Sequence, residues 1–166
     1  VYVDDLTFAM KEPQKFINTL ETKYGFKVKG TGPLEYHLGA NFERDEQGIL
    51  CMSPKKYIDR MVDSYTRIFG KKPTSKVCSP LERGDHPELD DSDLLDEEGI
   101  QIYQPLIGSL QWSISLGRFD IQCAVMTMSR FRAAPRKGHL ERVRRIFGYL
   151  LSLKMQKFAF TLINLT

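Results

Sequence analysis

Hydrophobic positions along the chain change period several times, and each change marks an element. Val1, Tyr2 and Val3 precede the acidic pair Asp4-Asp5, and Leu6, Thr7 and Phe8 follow it, which predicts a β-hairpin turning at the carboxylates. From Glu12-Pro13 the spacing lengthens. Phe16, Ile17, Leu20 and Tyr24 recur at helical intervals, and Gly25 follows as a C′ residue. Residues 26–29 alternate like a strand, and residues 30–33 break it with two glycines and a proline. YHLGANFER, the turn residues DEQG and then ILCMS predict a second hairpin. Gly39, inside its first strand, marks either a bulge or a close backbone approach by another molecule.

The helical period then takes over. Ser53 reads as an N-cap with Pro54 at N1, and Tyr57, Ile58, Met61, Val62, Tyr65, Ile68 and Phe69 form one apolar face ended by Gly70. Lys55, Lys56, Arg60 and Arg67 fall largely on the other side. Residues 71–99 hold few apolar anchors, three prolines and the run DHPELDDSDLLDEEG, and read as a solvated acidic linker. Three helices follow. The first covers 102–116, with Leu106, Leu110 and Ile114 on one face and Gly108 permitting close packing. Asp120 caps the second, which carries Ile121, Val125, Met126 and Met128. The third begins near Gly138 or His139 and buries Leu140, Val143, Ile146, Phe147 and Leu150, leaving Arg142, Arg144 and Arg145 outward. Tyr103, Trp112 and Tyr149 at helical spacing read as core. His139 reads as a capping or packing residue, and Arg118 and Arg130 as partners of nearby acids or helix ends. KFAFTLINLT at the end reads as a strand.

Length changes this picture little: 166 residues, 42% of them hydrophobic, suffice for one domain or two small ones. Charge changes it more. Residues 1–70 carry ten basic against ten acidic groups, residues 71–99 four against nine, and residues 100–166 ten against two. A neutral block, an acidic one of −5 and a basic one of +8 follow in order, and the last suits a phosphate backbone. Cys51, Cys78 and Cys123 are odd in number and far apart, which fits reduced thiols rather than a disulfide frame or zinc site. No apolar run is long enough for a bilayer, and no signal peptide is recognisable. The apolar first residues read as the middle of a buried sheet, so the chain is expected to be cut from a longer one.

Asp4-Asp5 is the pair with chemistry in it. Two like charges in a tight turn repel, and a cation from outside relieves the cost. The plainer alternative is an Asp-rich turn in which each carboxylate bonds its own backbone.

Beyond these patterns, VYVDD resembles the Y-x-D-D motif of reverse transcriptases. YHLGANFERDEQGILCMSPKKYIDRMV, VCSPL, YQPLIGSLQWSISLGRFDIQCAV and MSRFRAAPRKGHLERVRRIFGYL resemble, in order, the blocks of the copia-type retrotransposon polymerase. The resemblance covers nearly the whole chain. It implies an α+β fold: a partial polymerase palm of antiparallel hairpins over residues 1–52, a thumb-like helix over 53–70, the acidic linker over 71–99, and a basic helical thumb/connection region over 100–166 leading toward a ribonuclease H domain.

The same resemblance implies roles. Asp4 holds catalytic magnesium or manganese and Asp5 supports it, since such ions take oxygen ligands shared between carboxylates and substrate phosphates. Tyr2 lies near the primer terminus, and Leu38-Gly39 forms a primer-grip-like hairpin. Lys55, Lys56, Arg142, Arg144 and Arg145 are candidates for phosphate contact. The implied partners are an RNA or DNA template-primer duplex, deoxynucleotide triphosphates and the rest of the polyprotein (fingers and ribonuclease H domain), with no membrane. The implied location is the cytoplasm, in virus-like particles, with the nucleus as the alternative. The family's third metal-binding aspartate and its fingers lie upstream of the block that Val1 begins, so these 166 residues alone are expected not to polymerise. Gly117-Arg118-Phe119-Asp120 departs from the family's Thr-Arg-Pro-Asp. The competing accounts are a non-catalytic basic nucleic-acid-binding module and a degenerate element relic.

Overall fold

The computed structural model describes residues 6–153 and the backbone of residues 158–160. The first limb and turn of the N-terminal hairpin, with Tyr2, Asp4 and Asp5, lie outside the described residues. The chain divides into two compact units, residues 1–35 and residues 36–166. Among the described residues the first unit holds one helix, and the second joins helices to a small antiparallel sheet.

In the first unit, α1 spans Pro13–Tyr24. Pro13 opens it without a side-chain cap, and Gly25 closes it at φ 70°, the left-handed conformation that glycine adopts without strain. Ile17 is buried, and Phe8 meets Phe16 edge-on at 5.1 Å. Residues 26–29 are not a strand. Alternation needs a neighbouring ladder to become a strand, and the described part of this unit holds none; Phe26 stands exposed.

The second unit begins with the sheet, β1 (Tyr36–His37), β2 (Ala40–Arg44), β3 (Leu50–Ser53) and β4 (Phe158–Phe160), all antiparallel in that order. The expected single strand YHLGANFER is therefore two. Tyr36 pairs with Asn41 and His37 with Ala40, leaving Leu38-Gly39 as a two-residue turn at φ 51° and 94°. Positive φ at both positions gives the turn whose twist matches its flanking strands, so Gly39 marks a turn and not a bulge. The next hairpin is built by Asp45, whose Oδ1 accepts from the backbone N–H of Gln47 and Ile49 at 2.9 and 2.8 Å. Residues 158–160 bear out the expected terminal strand, pairing with β3.

Helix α2 spans Lys55–Phe69, one position later than expected. Pro54 holds the cap position, its carbonyl accepting from Ile58, while Ser53 ends β3 and is buried. The missing side-chain cap comes from across the sheet: Asn41 Oδ1 accepts from the backbone N–H of Lys56 at 3.0 Å. Ile58, Met61, Val62 and Tyr65 are buried as the period predicts, whereas Ile68 is exposed.

Helix α3 spans Glu97–Ser115, starting well before residue 102. Asp96 Oδ1 accepts from Gly99 at 2.8 Å, and Glu97 and Glu98 fill the first turn, where carboxylates favour the helix dipole. Part of the acidic run is thus a helix start. Pro105 sits inside α3 on an exposed position, and the carbonyl it deprives belongs to exposed Gln101. Gly108 faces open space and mediates no close packing. The helix ends in a paired motif, Gly117 N–H to Ile114 O at 2.9 Å and Arg118 N–H to Ser113 O at 3.0 Å, with Gly117 at φ 108°.

A short 3₁₀ turn over Phe119–Ile121 leads to α4 (Gln122–Ser129), and α5 covers Lys137–Ser152. Asp120 does not cap α4; its carboxylate turns to Arg118 instead. Met126 is half exposed. The core joins α2, α3, α4 and α5 through Tyr65, Tyr103, Ile107, Leu110, Ile121, Val125, Met128, Val143, Ile146 and Phe147. Tyr103 fits it as expected, its hydroxyl donating to Met128 O at 2.8 Å.

Residues 71–96 are no free linker. Leu95 N–H donates to Pro135 O at 2.8 Å and Lys137 N–H to Asp93 O at 2.9 Å, so the segment docks at the start of α5. His139 is buried there between two fixed partners. Its Nδ1 accepts from the Arg136 N–H at 3.0 Å, which leaves Nε2–H to donate to Pro87 O at 2.9 Å, and the ring stacks on Phe131 at 4.0 Å. That bears out capping and packing.

Candidate nucleic-acid interface

The Leu38-Gly39 turn and the start of α2 occupy one corner of the second unit. Asn41 fixes the Lys56 backbone, which places the Lys56 side chain beside β1; its Nζ lies 5.4 Å from the centre of the Tyr36 ring. Arg60, one turn further along α2, lies with Cζ 5.6 Å from the same centre, and its Nη2 donates to the Tyr36 hydroxyl. Arg60 Nε also donates to Lys56 O at 3.3 Å. Tyr36 keeps 38% of its surface exposed, and Lys55, Lys56 and Arg60 are exposed too. Four of the residues expected to meet nucleic acid, Leu38, Gly39, Lys55 and Lys56, are thus brought together. Arg60 and Tyr36 were not expected. A cation one helical turn after Lys56 was the available signal, but the aromatic partner comes from another strand.

Gly39 is enclosed by its own chain. A Cβ there would stand 3.1 Å from Leu116 Cδ1 and 3.2 Å from Trp112 Nε1. The expected close approach is intramolecular. Trp112, expected in the core, is 44% exposed beside this turn. Gly39→Ala combines strained φ with a tight contact, and is expected to lower unfolding free energy by about 1–3 kcal/mol. Urea unfolding with a midpoint unchanged from the parent would refute the assignment.

The other three expected contacts lie on α5 and are already engaged. Arg142 clasps Asp85 through Nε (2.8 Å) and Nη2 (2.7 Å), and reaches Asp90 through Nη1 at 2.5 Å. Its hydrogen bonds to Asp85 come first among the causes that hold the guanidinium charged to still higher pH. Asp85 is held below the ordinary carboxylate range chiefly by the Arg142 hydrogen bond, and Asp90 chiefly by the Ser92 hydroxyl and then by Arg142. Arg144 donates to the Tyr65 hydroxyl at 3.1 Å and Glu141 at 2.6 Å, with Cζ 4.8 Å from the centre of the Phe69 ring. Arg145 donates to Glu82 at 2.9 Å and Ser79 O at 3.3 Å.

Arg118 is buried, with 2% of its side chain exposed, and grips Asp120 through Nε at 2.9 Å and Nη2 at 2.7 Å. Burial pushes the Asp120 carboxyl up, but Arg118 and the Tyr149 hydroxyl outweigh it, and the group sits below its ordinary value. Among the described residues no three His, Cys, Asp or Glu side chains are arranged to hold a metal, and no helix is long and apolar enough to cross a membrane.

No family model and no solved structure matches the chain. Curated proteins do. A transposon Ty5-1 protein of Saccharomyces cerevisiae is 30% identical over 158 residues, covering 93% of this chain and 48% of that protein. The retrovirus-related Pol polyprotein from transposon RE1 of Arabidopsis thaliana is 32% identical over 154 residues, covering 90% of this chain and 10% of the polyprotein. Over about nine-tenths of its length the chain is similar to Pol polyproteins of copia-type transposons. The counterpart from transposon TNT 1-94 of Nicotiana tabacum agrees, at 30% over 158 residues, covering 90% of this chain and 11% of the polyprotein. The chain therefore spans about half the length of the first relative and about a tenth of the others.

Proposed function

We propose that this chain is the palm-to-thumb part of an RNA-directed DNA polymerase, with its Leu38-Gly39 turn and α2 facing the primer-template duplex. The observation that carries the reading is sequence identity of 30–32% to transposon Pol polyproteins over about nine-tenths of the chain. The exposed cations gathered at that turn support it, because duplex phosphates require unneutralised Lys and Arg.

In this reading Asp4 and Asp5 carry the metal chemistry in the full-length enzyme. Carboxylate oxygens are the donors that magnesium or manganese prefers. Bound there, such ions supply activation of the primer 3′-hydroxyl and stabilisation of the departing pyrophosphate. The chain's own part is to hold the primer in line, through the turn and the α2 cations, so that the hydroxyl meets the nucleotide. Deoxynucleotide triphosphates are the proposed substrates, and the remaining Pol regions the proposed partners.

The test is Asp4→Asn in the complete polymerase. Primer extension is expected to fall by about two orders of magnitude or more, with duplex affinity kept. Undiminished synthesis would sink the catalytic assignment and leave a binding module.

A further inference from the structure

We infer that the duplex phosphates are met by Lys56 and Arg60 on α2, positioned by Tyr36, and not by the arginines of α5. This rests on the duplex-binding reading above and names the residues that perform it. The charge count by itself favours α5, since residues 100–166 carry +8. The ion pairs reverse that preference. Arg142, Arg145 and Lys137 are matched by Asp85, Asp90, Glu82 and Asp93, all from the docked acidic segment. A phosphate approaching α5 has to displace carboxylates that already pair with these cations.

On α2 the situation is different. Lys56 and Arg60 are exposed, and among the described residues each leans on an aromatic ring rather than on an acid. A ring face stabilises a cation without neutralising it, so the full charge stays available to a phosphate. It also restricts long side chains that otherwise lose rotamer freedom on binding. The Tyr36 hydroxyl accepting from Arg60, and Arg60 Nε donating to Lys56 O, engage part of the guanidinium's donor edge and restrict its plane. Both cations lie on one face of α2, one helical turn apart, with Cβ atoms about 5–6 Å from each other. Tyr36 acts through them and is a positioning residue.

The experiment is equilibrium binding of a fluorescein-labelled 20-base-pair RNA–DNA duplex to the 166-residue chain across a salt series. Arg60→Gln and Lys56→Gln are each expected to weaken binding several-fold and flatten the plot of log affinity against log salt by about one. Tyr36→Ala is expected to weaken binding with a smaller change in slope, and Tyr36→Phe, which keeps the ring, to recover most of the loss. Arg145→Gln is expected to leave the slope at the parent value. A slope unmoved by Arg60→Gln but flattened by Arg145→Gln overturns this inference while leaving duplex binding standing. A parent chain that binds no duplex overturns both together.

Discussion

Asp120→Ala is expected to cost about 3–5 kcal/mol of unfolding free energy, the largest loss of any single substitution considered for this chain. Arg118 is the reason. Its guanidinium is buried, Asp120 is its bidentate partner, and Nη1 is already without a hydrogen-bond partner among the described residues. Removing the carboxylate leaves a charge that can neither reach water nor lose its proton. The Tyr149 hydroxyl loses its acceptor in the same stroke. Replacing both Arg118 and Asp120 by methionine and leucine is expected to recover most of the loss, because the penalty belongs to the unpaired charge and not to the missing attraction. Urea unfolding at constant slope measures both. A cost below about 1 kcal/mol for Asp120→Ala would mean that the pair is solvated, and the double variant would then show no recovery.

Arg142→Gln is expected to lower unfolding free energy by about 3 kcal/mol and to change how stability depends on pH. The substitution strands two carboxylates, Asp85 with 14% and Asp90 with 9% of the side chain exposed, and lets them repel each other. Both have folded-state pKa values below the ordinary 3.8. Depressed carboxylates contribute stability that is fully present above the unfolded value and is lost as pH falls through the folded one. The parent is therefore expected to lose stability progressively below about pH 5, and the variant to show a shallower acid limb. Equal acid limbs in parent and variant would show that Arg142 does not hold these pairs. Lysine at this position is expected to restore the charge but not the fork that meets two carboxylates at once, and so to recover only part of the loss.

These two clusters also explain where sequence reading stopped. Arg118 and Asp120 are two residues apart, so a local partnership was legible; burial was not, because a charged tetrapeptide after a helix reads as surface. The departure from the family's Thr-Arg-Pro-Asp proves to preserve the pair, and Gly117 supplies the left-handed turn that ends α3. Arg142 and its two aspartates lie 57 and 52 positions apart, and nothing in spacing links them. An acidic run with few hydrophobic anchors has the composition of a solvated linker, and only the docking of Leu95, Pro87 and Asp93 against the start of α5 made it part of the fold. The same distance effect misled the reading of α2. Ser53-Pro54 has the pattern of a capped start, but Asn41 supplies the cap from a strand twelve residues earlier than Ser53.

What the sequence determined alone was the helical periodicity that places α1, α2 and α5 to within two residues, most of the apolar positions that form the core, and the existence of a hairpin around DEQG. It also carried the relationship to Pol polyproteins, since order and identity of blocks survive without any coordinates. What only the tertiary structure decided was which charges are available. A basic residue reads the same in a sequence whether a carboxylate from elsewhere neutralises it or an aromatic ring merely supports it. The strength of a charge toward a partner depends on its neighbours within a few ångströms, and those neighbours are chosen by chain folding over separations of tens of residues.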